Sequence, residues 1–163
     1  MPRDCARPAP RRAADAHRGG ERGAAAVEFA LVVPVLLLVV FGTIQYGFYF
    51  WAMQGGSDIT RSAARLAAVS DPAGCTEFRA LVGAQVGAFA ASQGDVAITR
   101  SYTNGPGNSD PAVEVGDLVT VTVAFDSTDL GLSGLVPFID DGRVTQSAQA
   151  RVDYVTGVPG GCA

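Results

Sequence analysis

The residue types that most often carry covalent catalysis are scarce in this chain. Among its 163 residues there are three cysteines, no lysine and a single histidine, His17. A Ser/His or Cys/His pair needs the histidine beside the nucleophile, and His17 lies in a short N-terminal segment without apolar periodicity. The absence of lysine excludes Schiff-base chemistry and a Walker A loop. The sequence therefore predicts a protein that is not an enzyme and needs no cofactor.

Four aspartates lie close together near the C-terminus: Asp126, Asp129, Asp140 and Asp141. Clustered carboxylates are the ligands that a hard cation such as Ca²⁺ requires. Their spacing does not match an EF-hand loop, and acids in loops are most often solvated. We therefore expect no metal site here.

The dominant feature of the chain is the apolar stretch Gly23–Trp51, GAAAVEFALVVPVLLLVVFGTIQYGFYFW. After Glu28 no charged residue occurs until Asp58. A helix needs about 20 apolar residues to cross the hydrocarbon core of a bilayer, and this stretch supplies them. We predict one transmembrane helix over residues 24–53.

The charge on the two sides of this stretch differs in sign. Residues 1–22 carry six arginines and three acids, whereas residues 52–163 carry six arginines and twelve acids. By the positive-inside rule, the N-terminus is cytoplasmic and the C-terminal part is outside the cell membrane. We interpret residues 1–23 as a basic cytoplasmic leader, in which residues 1–22 are predicted to be disordered. Three acids and no aromatic residue among its arginines argue against a nucleic-acid partner.

Glu28 is unusual, because a charged side chain costs about 2.5–3.5 kcal/mol at the bilayer centre, and less near the edge. An isolated acid here is most simply explained as a headgroup-level residue. However, Glu28 is the fifth residue after Gly23 and is followed by Phe29 and an apolar run. This arrangement, G-A-A-A-V-E-F after a short basic leader, resembles the type IV prepilin leader. The chain as a whole resembles the TadE-like minor pilins or pseudopilins of the tight-adherence (Flp) pilus system.

The resemblance implies that a prepilin peptidase cuts between Gly23 and Ala24. In fibres of this kind the glutamate at the fifth mature position, here Glu28, is thought to pair with the free N-terminal amine of a neighbouring subunit. The resemblance thus assigns Glu28 and Phe29 to assembly and makes other pilins, assembly proteins and membrane lipid the partners. Pilins often carry a proline in this part of the helix, and Pro34 is expected to kink it.

Beyond the membrane the sequence predicts a second helical region. Gly55 and Gly56 are expected to loosen the helix, and Ser57 or Asp58 to cap its resumption. The resumed helix is amphipathic and ends near Ser70. Its apolar positions are Ile59, Ala63, Leu66 and Ala67.

A further helix is predicted with Thr76 as its cap and Gly94 as its stop. Its apolar face would contain Phe78, Leu81, Val82, Val86 and Phe89. The period then changes from near 3.6 to 2, which is typical of strands. The alternating segments are 96–102, 119–125 and 144–154.

These elements define an α+β fold class. We predict a small extracytoplasmic domain over residues 54–163, in which one helix covers one side of a roughly three-stranded antiparallel sheet. The loop 130–139 is unusually hydrophobic. It either folds back over the sheet or contacts a partner or the membrane surface.

Cysteine placement suggests one disulfide. Cys5 lies in the predicted leader, whereas Cys75 and Cys162 lie in the predicted exported domain, where disulfides persist. Two cysteines in an exported domain pair more often than not. Two free thiols, or pairing between subunits, remain as alternatives.

Three hypotheses follow from the sequence. The first is a TadE-like minor pilin that is processed by a prepilin peptidase. The second is an uncleaved, membrane-anchored binding module unrelated to pili. The third is a surface hydrolase that uses carboxylates. Cleavage after Gly23 distinguishes the first from the other two.

Overall fold

The computed structural model describes residues 18–69, 74–90, 96–131, 139–155 and 161–162. The elements in chain order are α1 (Arg18–Ala68), α2 (Cys75–Val86), β1 (Ala97–Thr103), β2 (Leu118–Asp126), a 3-10 helix (Ile139–Gly142) and β3 (Arg143–Arg151). This is the predicted α+β layout. The chain divides into two compact units, residues 1–40 and residues 41–163, and α1 contributes to both.

In the first unit, the described residues are the N-terminal part of α1. The large apolar side chains of this part are exposed, and they include Val27, Phe29, Leu31, Val32 and Val35. The stretch Gly23–Ala68 is long and apolar enough to cross a membrane. This agrees with the predicted membrane helix.

The helix begins at Arg18, although the sequence predicted a disordered leader through residue 22. That prediction is wrong for residues 18–22, and residues 1–17 lie outside the described part. Extending a helix that already exists costs little, because the unfavourable nucleation step has been completed.

In the second unit, the three strands form one antiparallel sheet in the order β1-β2-β3. Val121 in the central strand pairs with Arg100 of β1 and Ala148 of β3. Alternate residues of β2 point to the same face, and on one face they are fully buried: Val119, Val121, Val123 and Phe125. The three predicted strands are confirmed, except that β3 ends at Arg151 and Tyr154, which was expected on its apolar face, is exposed beyond it.

Two helices, rather than one, contribute to the core beneath this face. The sequence predicted that the second helix covers the sheet, but α1 supplies many of the buried residues. From α1 they are Tyr49, Ala52, Ile59, Ala63, Ala64, Ala67 and Ala68, and from α2 they are Phe78, Val82 and Val86. The side chains from α1 are mostly small, which allows the helix to approach the sheet closely.

Gly55 and Gly56 lie inside α1 and do not interrupt it. The predicted break at these glycines, with a new cap at Ser57 or Asp58, is therefore wrong. A Cβ atom at Gly56 would lie 3.0 Å from Cε1 of Phe125, and one at Gly55 would clash with the ring of Phe89. These glycines serve close packing, which outweighs their helix cost of about 1 kcal/mol each.

The C-terminal end of α1 is bonded to residues of the sheet and of the chain after it. The carbonyl of Ala68 accepts hydrogen bonds from the amides of Asp153 at 3.0 Å and Tyr154 at 3.3 Å. The hydroxyl of Tyr102 donates to the carbonyl of Ala67 at 3.4 Å. The last carbonyls of a helix have no partner within it, and these bonds supply one. The predicted end of the helix near Ser70 is confirmed within two residues.

The second helix differs from its prediction at both ends. Gly74 is its cap residue and makes no side-chain cap bond, and the amide of Phe78 bonds to the Gly74 carbonyl at 3.0 Å. The predicted cap, Thr76, therefore lies in the first turn. The helix ends at Val86, and the predicted stop, Gly94, lies outside the described residues.

Leu81 was expected on the buried face of this helix, but it is exposed. The buried residues of α2 are Phe78, Val82 and Val86, which are four residues apart. They form a stripe that is one residue wide, because a helix lying on a sheet through a single line of contact buries only the i, i+4, i+8 positions. Leu81 falls beside that line.

The loop between β1 and β2 is organised by the buried side chain of Asp117. Its carboxylate accepts hydrogen bonds from the amides of Gly105 and Glu114, both at 2.8 Å, and from Asn108 Nδ2 at 2.9 Å. These donors, that of Glu114 first, hold the pKa of Asp117 below its ordinary value of 3.8. The carboxylate thereby satisfies the polar groups of a long turn.

The contact between Gly56 and Phe125 predicts a size limit at residue 56. Gly56→Leu should destabilise the fold by about 1–3 kcal/mol, because overpacking a dense core forces side chains and backbone to shift. The matched control is Gly47→Leu, since a Cβ atom at Gly47 meets nothing within 4 Å. Chemical denaturation of the detergent-solubilised chain measures both. Equal stability of the two variants would contradict the packing account.

The three hydrogen bonds that the carboxylate of Asp117 accepts predict a loss of stability in acid. The folded pKa lies below the unfolded one, so the stabilisation is complete above the unfolded pKa of about 3.9 and is lost as the pH falls through the folded pKa. Asp117→Asn, which places an NH₂ group among N–H donors, should be less stable than wild type at neutral pH. The difference should shrink in acid. Denaturation midpoints at both conditions test this, with the exposed Asp153→Asn as control; a difference that does not depend on pH would refute it.

Candidate functional site

The residues of the predicted processing and assembly site lie on α1 in the first unit. Gly23 is exposed, and a Cβ atom placed on it would meet nothing within 4 Å. Glu28 and Phe29 are exposed, Phe29 to 70%. Ala24 and Glu28 are four residues apart on a helix, which places them on the same face, one turn from each other.

This spacing has an electrostatic consequence. If the chain were cut after Gly23, Glu28 would lie about one turn from a new helix N-terminus, where the positive end of the macrodipole favours an acid. The carboxylate would lie about 6 Å along the helix axis from the new N-terminal amine. Pro34 lies inside α1, which is helical on both sides of it. The kink at Pro34 stays a prediction.

The predicted disulfide is present in the structure. Cys75, the first residue of α2, is bonded to Cys162, with their Cα atoms 5.6 Å apart. The bond joins residues 87 positions apart in the sequence. Closing a loop of that length removes about 4–5 kcal/mol of chain entropy from the unfolded state in the simplest model. Cys5 lies outside the described residues.

The C-terminal segment is also held by the backbone. Arg100 in β1 and Cys162 exchange two hydrogen bonds, of 2.9 and 2.7 Å, and form an isolated antiparallel bridge. The guanidinium of Arg100 is buried and lies 4.5 Å from the ring centre of Phe78 and 5.7 Å from that of Tyr102. Burial raises the pKa of Tyr102, and the charge of Arg100 partly opposes this.

Gln45 binds a loop that is distant in sequence. Its side chain is 1% exposed although it lies within the apolar stretch. The Nε2 atom donates to the carbonyl of Thr128 at 3.2 Å, and Oε1 accepts from the amide of Leu130 at 2.9 Å. One side-chain amide thus satisfies a donor and an acceptor of the loop after β2.

The aspartates that follow β2 have separate partners. Asp126 forms an exposed ion pair with Arg143 at 3.2 Å, across paired positions of β2 and β3. The Oδ1 atom of Asp129 accepts a hydrogen bond from the amide of Gly131 at 2.8 Å. Over the described residues, no three His, Cys, Asp or Glu side chains are grouped so as to hold a metal ion. Most of the hydrophobic loop, residues 132–138, lies outside the described part.

Sequence reasoning did not identify the buried polar residues of the described part, and three of them make the contacts described above: Gln45, Arg100 and Asp117. Gln45 is an amide inside an uncharged apolar run, and that was its only signal. Arg100 lies on the inward side of β1, two residues after Ile98 and two before Tyr102. Alternate residues of a strand share a face, so the apolar residues on either side of Arg100 were the signal that this cation is buried. Asp117 follows a glycine in a turn, and nothing local distinguishes it from other loop acids.

Comparison with known proteins supports the resemblance seen in the sequence. The family model described as TadE-like protein matches residues 23–65. The match begins at the predicted processing glycine and ends at Arg65, so it lies entirely within α1. Searches of curated proteins and of solved structures gave no significant match.

The match covers the helix that carries the predicted processing and assembly residues, and it is a similarity over that part of the chain alone. The same helix is long and apolar enough to cross a membrane over Gly23–Ala68. Nothing in the match extends to α2 or the sheet.

Proposed function

We propose that this chain is a TadE-like minor pilin or pseudopilin that acts in the assembly of Flp-type pili for adherence or secretion. In this proposal the N-terminus is cytoplasmic, α1 crosses the cytoplasmic membrane, and the sheet and α2 lie outside. A prepilin peptidase removes residues 1–23. The protein has a structural role and no catalytic one.

The observation that carries the proposal is the coincidence of three features on one helix. Gly23 is accessible, Glu28 follows it at the fifth position, and a family match begins at that same glycine. A membrane-anchored binding module needs only the apolar helix, and it has no use for an acid placed one turn inside it. An acid among apolar helices is favourable only opposite a cation.

The residues before the cut favour access by a peptidase. Gly19, Gly20 and Gly23 lie within the first six residues of α1. Each glycine in a helix interior costs about 1 kcal/mol relative to alanine. The start of the helix is therefore easily unwound into the extended form that a peptidase binds, whereas the apolar part after Ala24 stays helical.

Processing is tested by the mass of the membrane-bound protein. When the chain is expressed with a prepilin peptidase, we expect the N-terminus to be Ala24. Gly23→Leu should leave the precursor uncut, because the peptidase needs the small residue before the scissile bond. Gly47→Leu is the matched control, since both glycines have open space around them. A wild-type protein that retains Arg22 would favour the uncleaved binding module instead.

Assembly is tested by Glu28→Ala. The variant should be inserted and cut as in wild type, but it lacks the partner for the amine of a neighbouring subunit. A polar contact between helices in lipid contributes about 1–2 kcal/mol, so co-purification with other pilins should fall by roughly 5–30-fold. The melting temperature and the Cys75–Cys162 bond should not change.

The control for this experiment is Glu77→Ala, a change of the same type at an exposed position in the first turn of α2. It should leave association with pilins unchanged. Undiminished association of the Glu28 variant, together with normal piliation, would return Glu28 to the role of a headgroup-level acid.

A further inference from the structure

A non-helical segment of the chain is held directly against the apolar helix. The segment is Ser127–Gly131, which we call the β2 exit loop. Gln45 of α1 bonds to the carbonyl of Thr128 and the amide of Leu130 in this loop. Leu130 is therefore fixed within one side-chain length of α1, at the level of residue 45.

The helix around this level is apolar and exposed. Phe41, Ile44 and Phe48 lie within one turn of Gln45, and each is 38–44% exposed. The 21 residues from Ala24 to Ile44 span about 31 Å as a helix, which matches the hydrocarbon core of a bilayer. A span that begins at Ala24 therefore has enough residues by Ile44, and Gln45 is the next residue in the sequence.

The exit loop meets the requirement for irregular backbone next to lipid. Backbone N–H and C=O groups at membrane depth must be satisfied within the protein. Besides the two bonds from Gln45, the amide and hydroxyl of Ser127 both donate to the carbonyl of Gly142, at 3.0 and 2.9 Å. The amide of Gly131 donates to Asp129 Oδ1 at 2.8 Å. Gln45 is itself satisfied by the loop, so an amide can lie at this depth without a desolvation cost.

We propose that the β2 exit loop is a lipid-contacting surface, and that Gln45 holds Leu130 in the interfacial region of the outer leaflet. The side chain of Leu130 is 43% exposed, and it is preceded by exposed polar residues, Thr128 and Asp129, that suit the headgroup layer. Phe50 and Trp51 are exposed within two turns of Gln45, as expected for an aromatic belt at a membrane interface.

The occupant that the surface fits best is lipid. The exposed side chains of Phe41, Ile44 and Phe48 lie on one face of α1 and belong to the apolar run that is long enough to cross a membrane, and lipid is the environment that such a run fits. It follows that the membrane span ends near Ile44, and that residues 45–53 belong to the folded exterior domain.

This inference rests on the proposed insertion of α1 in a membrane, and depth measurements separate the two. Full-length chain with Cys5→Ser is placed in phosphatidylcholine nanodiscs, and an environment-sensitive fluorophore is attached at Leu130→Cys, Leu37→Cys or Ser109→Cys. A nitroxide on the lipid and aqueous iodide serve as quenchers. Labels at 130 and 37 should be quenched by the lipid nitroxide severalfold more than by iodide, and the label at 109 should show the reverse.

Gln45→Leu tests the role of the amide, because it keeps the size of the side chain and removes both hydrogen bonds. We expect a severalfold loss of lipid quenching at residue 130 and no change at residue 37. Retention of the Cys75–Cys162 bond and of cooperative unfolding would show that the variant is folded. If the label at 130 stays in lipid in this variant, Gln45 does not position the loop.

The remaining outcomes each decide a different point. If the label at 37 is in lipid and the label at 130 is quenched by iodide, the exit loop faces water and this inference fails while the proposed function stands. If the label at 130 is shielded from both quenchers, protein covers it and the lipid assignment is wrong. If the label at 37 is not in lipid, the proposed membrane insertion itself fails.

Discussion

The close approach of α1 to the sheet is the constraint on which the rest of the fold depends. A three-stranded sheet needs its apolar face covered to be stable, and α2, with its single buried stripe, cannot cover it alone. Gly56 leaves room for the ring of Phe125 in β2, and α1 adds the small residues Ala63 and Ala67 to the core that also contains the valines of β2. The helix carries small residues where the strand carries large ones, which is how a dense interior is filled without strain.

The periodic elements were predictable because their signals are local. The valines of β2 alternate with polar residues over a full strand. The apolar run of α1 is too long for a buried helix of a small soluble domain, which leaves a membrane helix as the simplest interpretation. The disulfide followed from the number and location of two cysteines. Errors occurred where a local rule competed with tertiary packing. Gly55 and Gly56 suggested a helix break, but the rings of Phe89 and Phe125 occupy the space that side chains there would need.

The buried polar contacts were not predictable for a different reason. Gln45 bonds to residues 83 and 85 positions away, so no window of the sequence contains both partners. Arg100 and Asp117 are likewise satisfied only when the fold brings their surroundings together. Each costs free energy when buried alone and little when bonded. The sequence shows which polar residues are present, but their partners can be identified only from the tertiary structure.

The two parts of α1 therefore have different packing requirements. Its first part presents apolar side chains and one acid outward, which is suitable for lipid and for other helices. Its second part presents small side chains inward, to a sheet that it must touch closely. The family match covers both parts up to Arg65 and stops before α2. The part of the chain beyond the match is held together by its own contacts, because the bond between Cys75 and Cys162 joins the start of α2 to the last described residues.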